Sequence, residues 1–201
     1  MKNLLERIRG CRVCIEHPTG QALAHEPRPI LRASTTAKIV ICGQAPGTRV
    51  HASGIPFTDS SGDRLRHWMG VTPEMFYDER RIAMVPMGFC FPGLDAKGGD
   101  LPPRRECGPL WRRQVLAAMP DIELMLLVGA YAQRWHLPGG ESGLTATVKD
   151  WRRHLGSPTR PTQLPLPHPS WRNTGWLRKN PWFEEELLPE LRNLVRRSLG
   201  R

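Results

Sequence analysis

Three short runs in this chain are apolar almost throughout, and helical patterns fill the intervals between them. Ile39-Val40-Ile41-Cys42, Arg81 to Val85 and Ile122 to Val128 do not alternate between apolar and polar. Strands buried on both faces read this way, as in a parallel sheet covered on both sides. A fourth strand, Gln163 to Leu166, is flanked by prolines. Lys2 to Gly10 places Leu4, Leu5 and Ile8 on one helical face, with Gly10 as the stop. Ser60 and Ser61 are N-caps for a helix through Leu65, Trp68 and Met69, closing near Gly70. Thr72-Pro73-Glu74 opens another. Glu106-Cys107 starts a helix carrying Leu110, Trp111, Val115 and Leu116, with Trp111 read as core. Tyr131 to Leu137 and Ser142 to His154 are further helices, separated by Pro138-Gly139-Gly140. The tail, Pro181 to Leu199, is an amphipathic helix that Pro189 kinks or divides.

Strands alternating with helices predict an α/β fold with a parallel sheet, in one domain over residues 1–201. Two stretches lack periodicity. Ile15 to Ala37 reads as a long surface loop, with Arg28 and Arg32 as solvated charges within reach of phosphate. Pro92 to Arg105 is a charged, Gly/Pro-rich loop.

Ligands of open α/β sheets bind beyond the carboxyl ends of the strands. The first strand runs into Gly43-Gln44-Ala45-Pro46-Gly47, followed by Gly54-Ile55-Pro56-Phe57-Thr58-Asp59. The second runs into Pro86-Met87-Gly88-Phe89-Cys90, and the fourth into His168-Pro169-Ser170. The first turn has neither the Gly-Lys-Ser/Thr end of a P-loop nor a G-x-G-x-x-G spacing. Taken alone, it is equally a tight strand-to-helix connection.

Charge narrows the partners. With 29 Lys and Arg against 19 Asp and Glu, the net charge is +10. Such a balance favours a polyanion, nucleic acid first. No apolar run approaches the roughly 20 residues of a membrane span. The first residues lack a signal-peptide core, so a cytoplasmic protein is expected. Five cysteines in a reducing compartment argue for ligands or buried thiols rather than disulfides. Cys11 and Cys14 are spaced to grip one metal or cluster, and Cys90 and Cys107 supply a second pair. Four thiolates suit zinc or a [4Fe–4S] cluster, and spacing does not choose between them. Cys42, inside the first strand, reads as a small buried apolar residue.

Three separated features together resemble the uracil-DNA glycosylase superfamily, and most closely its iron-sulfur (family 4-like) bacterial members. They are the Gly43–Gly47 turn with its Pro56-Phe57 segment, the four-cysteine frame, and His168-Pro169-Ser170. The resemblance implies a three-layer α/β/α sandwich with a four-stranded parallel sheet. It implies a monomer that binds uracil-containing DNA, with no membrane partner, and hydrolyses the N-glycosidic bond of a flipped uracil. In that reading His168 stabilises the departing uracil anion, Phe57 stacks on the base, and Gly43, Ala45, Pro46 and Gly47 line the pocket. Ser170, Trp171 and Arg172 belong to the loop that enters the DNA, with Trp171 or Arg172 filling the gap. Cys11, Cys14, Cys90 and Cys107 would hold a [4Fe–4S] cluster, with zinc as the alternative.

Two positions depart from the family pattern. The water-activating acid of the iron-sulfur members is the Glu of G-E-A-P-G, and here it is Gln44, which can hold a water but cannot take its proton. Asp59 is the replacement candidate, ahead of Asp63, which also reads as a first-turn helix acid. The family's uracil-reading Asn is replaced by Pro86, which leaves recognition to backbone groups at Met87, Gly88 and Phe89 or to another side chain. These departures keep two other functions open: a glycosylase for another deaminated base, and a non-enzymatic binder of damaged or abasic DNA.

Overall fold

A computed structural model of the chain describes residues 1–138, 143–156 and 160–200. Four parallel strands form its centre: β1 (Ile39–Cys42), β2 (Ile82–Met84), β3 (Leu124–Val128) and β4 (Thr162–Leu166), in the order β2-β1-β3-β4. Side chains alternate across a strand, so an unbroken apolar run supplies two faces at once. Ile39, Ile41, Ile82, Met84, Leu124, Leu126, Leu164 and Leu166 pack into one core with α4 (Ser60–Met69) and α11 (Leu188–Ser198). Val40, Cys42, Ala83, Val85, Met125 and Leu127 face the other way, against α1 (Lys2–Arg9) and the helix of residues 108–117. The result is a three-layer α/β fold. All four residues of β1 are fully buried.

Several local readings change. Asp59, rather than Ser60 or Ser61, caps α4, its Oδ1 accepting from the N–H groups of Ser61 (3.1 Å) and Gly62 (3.2 Å). Between Gly47 and Gly54 the chain forms an additional helix, α3 (Thr48–Ser53). A further short helix, α2 (Val13–Glu16), carries Cys14. Thr72 caps α5 (Pro73–Phe76) as expected from its motif.

The segment from Ile15 to Ala37 is not a free surface loop. Leu23, Ile30, Ala33 and Ala37 are buried, and Arg32 makes an antiparallel bridge with Met84. Nor are its arginines free for phosphate. Arg28 donates to the carbonyls of His51 and Ala52, and Arg32 donates to the carbonyl of Tyr77 at 2.7 Å.

The helix opened by Cys107 begins with a wide π turn over Gly108–Arg112 and continues as α6 (Arg113–Ala117). After β3, α7 (Ala130–His136) stands where a helix was expected, but Gly139, Gly140 and Ser142 of the neighbouring expectations lie outside the described residues. The expected helix to His154 is two helices, α8 (Leu144–Lys149) and α9 (Trp151–Leu155). After α10 (Thr174–Lys179), the tail is divided at Pro189: a π turn over Phe183–Leu187 leads into α11. Proline has no N–H to offer the carbonyl one turn back, so the regular ladder cannot run through it.

Candidate active site

Gly43 and Gln44 leave β1 with their carbonyls fixed. Gly43 accepts from Met87 N–H and Gln44 from Gly88 N–H, each at 2.9 Å, which straps the exit of β2 to the turn. Phe57 folds back over this turn. A side chain on Gly43 would meet its ring at 3.4 Å, so the glycine leaves the space that the ring occupies. Phe57 has φ 54, in the left-handed region that non-glycine residues rarely enter. That conformation is over-determined by its surroundings. The Phe57 carbonyl accepts from the Tyr77 hydroxyl at 2.9 Å and from Arg66 at 3.4 Å. The bare backbone of Gly62, in α4, lies directly against it. The ring packs edge-on against Phe76, with centroids 6.0 Å apart.

His168 follows β4 and lines the same cavity as Phe57. Its Nδ1 accepts from the Ser170 N–H at 3.2 Å, and Asn173 donates to its carbonyl at 2.7 Å. Arg64 of α4 donates to the Ser170 carbonyl at 3.0 Å, tying the loop to the helix that Asp59 caps. Burial holds the His168 pKa below the usual imidazole range, and the negative charge of Asp59 only partly opposes this. A neutral imidazole that accepts at Nδ1 carries its proton on Nε2. His168 therefore offers an N–H donor from Nε2.

A cavity of about 390 Å³ joins these walls at the carboxyl ends of the strands. Gly43, Gln44, Ala45, Pro46, Gly47, Phe57, Asp59, His168, Ser170, Trp171 and Arg172 all line it. Trp171 is 71 % exposed, so packing on the following helix does not hold it. Met87, Gly88 and Phe89 are not on the lining, which corrects their assignment to base recognition. Their N–H groups are already engaged by Gly43, Gln44 and the Cys107 sulfur. Pro86 does line the cavity, but its carbonyl accepts from the fully buried Arg112 at 2.7 Å. Asp63 is elsewhere, paired with Arg66 at 2.6 Å on the exposed side of α4.

Asp100 was not anticipated. It lies in the Gly/Pro-rich loop after β2, where no periodicity marks it. Yet its carboxylate oxygen stands 3.4 Å from where a Gly47 side chain would begin, and it lines the same cavity. Partial burial raises its pKa, with Arg172 opposing and Asp59 and Asp95 reinforcing the shift.

The cysteines form a separate cluster. Cys14 and Cys107 share a hydrogen bond, which with burial raises the Cys107 thiol and leaves Cys14 at about 7. Cys90, pushed up to about 12 chiefly by burial, feels both Cys14 and Cys11. The Trp111 indole, otherwise core, donates to the Cys11 sulfur at 3.2 Å. Among the described residues, no group of three or more His, Cys, Asp or Glu is arranged to hold a metal ion.

Fold and cavity define an α/β protein in which the Phe57 ring and the His168 imidazole line one cavity at the carboxyl ends of the strands. The family model of the uracil DNA glycosylase superfamily matches residues 31–192, and the chain belongs to that superfamily. Membership implies a glycosylase, a hydrolase of N-glycosyl bonds that binds DNA in repair. Cys11 and Cys14 precede the matched segment. No helix among the described residues is long and apolar enough to cross a membrane.

Proposed function

We propose that the protein excises uracil from DNA as a monomeric base-excision repair enzyme of the cytoplasm. The observation that carries this reading is the joint placement of Phe57 and His168 on one cavity, with His168 held as an Nε2–H donor by the Ser170 N–H. The target nucleotide leaves the stack and its base lies on Phe57. As the glycosidic bond breaks, the base gathers negative charge on its oxygens and the sugar becomes cationic. His168 donates to the base oxygen, and the Asp59 carboxylate supplies negative charge on the sugar side. A neutral donor suits this task because it needs no proton uptake at working pH. Exposed Trp171, with Arg172 stacked at 5.8 Å, fills the gap left in the duplex. The net charge of +10 draws the phosphate backbone and makes binding fall with salt.

Cys11, Cys14, Cys90 and Cys107, whose thiols lie near enough to perturb one another, would hold a [4Fe–4S] cluster as a clamp for the N-terminal segment. Four thiolates suit zinc or a cluster alike, and the resemblance to the iron-sulfur members favours the cluster. The cluster supplies electron-transfer capacity and structural cross-linking when bound, and the hydrolysis is assigned to the cavity residues. Visible absorbance of thiolate-bound iron, lost in Cys107→Ser, supports this set. A colourless protein with stoichiometric zinc would overturn the iron-sulfur assignment.

The test of the reaction is free-base release from oligonucleotides containing uracil, hypoxanthine or xanthine. His168→Ala should lower release about 10²–10³-fold, the cost of losing one such donor. Pro86 offers neither an N–H nor a free carbonyl, so a substrate edge unlike uracil is the second reading. Preference for hypoxanthine or xanthine would establish it. Tight lesion binding with no release from any of the three would instead make the protein a binder.

A further inference from the structure

Hydrolysis of an N-glycosyl bond requires a water to lose a proton as it attacks the sugar carbon. Gln44, on the turn, cannot accept one. Only two carboxylates line the cavity among the described residues, Asp59 and Asp100. They are differently occupied. Asp59 Oδ1 is held by two backbone N–H groups at the start of α4, where it serves as the helix cap. The Asp100 carboxylate makes no hydrogen bond or ion pair with any described residue.

The loop that carries Asp100 is nevertheless well fixed. Leu94 and Asp100 form an antiparallel bridge, and Leu101 N–H donates to the Gly93 carbonyl at 2.9 Å. Asp95 closes the tip, its Oδ1 accepting from Lys97 N–H and Gly99 N–H at 2.8 Å each. At the base of the loop, Gly88 packs so closely on Pro103 and Arg104 that a side chain there would stand 3.1 Å from the Arg104 nitrogen. The hairpin thus delivers one unpartnered carboxylate onto Gly47, whose missing side chain leaves it room.

We propose that Asp100 is the carboxylate that accepts the proton of the attacking water, with Asp59 kept in place as the cap of α4. This rests on the glycosylase reading above. The water O–H bond breaks and its proton passes to Asp100. The water oxygen bonds to the sugar carbon, and the carbon–nitrogen bond breaks with its electron pair leaving on the base. The base anion, held by the His168 N–H, takes a proton from solvent, and Asp100 returns its own to solvent. A base is more effective as its pKa approaches the working pH, and the raised pKa of Asp100 moves it in that direction. The charged or titratable groups facing it are Asp59 before α4, Asp95 on its own loop, and Arg172 and His168 on the loop after β4. Arg49 of α3 lines the same cavity.

The experiment is single-turnover base release by wild type, Asp100→Asn and Asp59→Asn from roughly pH 5 to 9, with and without added formate. Asp100→Asn should lose about 10²–10⁴-fold in rate, flatten the acidic limb and regain activity with formate, which replaces a missing base but not a missing fold. Its melting midpoint should match wild type, with Asp100→Ser as a second variant if it does not. An Asp100→Asn enzyme with the wild-type rate and limb, or formate rescue confined to Asp59→Asn, overturns the assignment while leaving the glycosylase intact. A wild type that releases no base overturns the glycosylase reading and this one with it.

Discussion

Replacing Gly62 with alanine sets two rules against each other. In a helix interior, alanine is about 1 kcal/mol more favourable than glycine, so by propensity alone the change should stabilise α4. The tertiary contacts reverse the sign. A methyl at residue 62 would overlap the Phe57 carbonyl oxygen, and it would stand 2.7 Å from the carbonyl carbon and 2.9 Å from the Phe57 Cβ. These are backbone and near-backbone atoms, so no flexible side chain can swing away. Phe57 must retreat by roughly 1.5 Å or more to reach ordinary contact. Overpacking of this kind costs about 1–3 kcal/mol. The retreat also breaks the hydrogen bonds from Tyr77 and Arg66, about 1 kcal/mol each. The net is a loss of about 2–4 kcal/mol. Activity falls further, because a misplacement of about 1 Å can cost roughly 10²-fold. Urea melts and single-turnover base release read the two effects. A Gly62→Ala protein at least as stable as wild type, releasing base at the wild-type rate, would refute the description of the Phe57 turn.

His136 accepts from buried Arg112 at 2.7 Å, and burial with that positive charge lowers its pKa to about 4. The unfolded chain takes up a proton below about pH 6.5 while the folded one resists to about 4, so stability is lost as pH falls through that window. At pH 5 this single group accounts for about 2 kcal/mol. Paired denaturant melts at neutral pH and at about pH 5 should show a smaller drop for His136→Gln than for wild type. Trp171→Ala should lower release from double-stranded substrate about 10-fold and leave single-stranded substrate nearly unchanged, because only a duplex needs its gap filled; equal loss on both would remove the wedge role. Gln133 is buried and donates to the carbonyls of Leu127 and Leu166, so Gln133→Leu should cost about 1–3 kcal/mol in thermal or urea melts.

The strands were legible because burial on both faces writes itself into the sequence. Every residue of Ile39–Cys42 is apolar since each faces one covered side or the other. Turn residues were legible for a similar reason: their conformation depends on neighbours a few residues away. The same local logic explains the misplaced cap of α4. Serine and aspartate are all good caps, and only the chain's entry angle selects Asp59.

What the sequence by itself determined was therefore the layered α/β fold, its basic surface, and most of the residues around the strand ends. Tertiary structure alone decided which of these meet. It consumed the N–H groups of Met87 and Gly88 in strapping β2 to the first turn and that of Phe89 on the Cys107 sulfur, and it turned Arg28 and Arg32 inward. It also carried Asp100 across to Gly47. Such encounters join residues distant along the chain, and no local periodicity or propensity encodes a contact made through space.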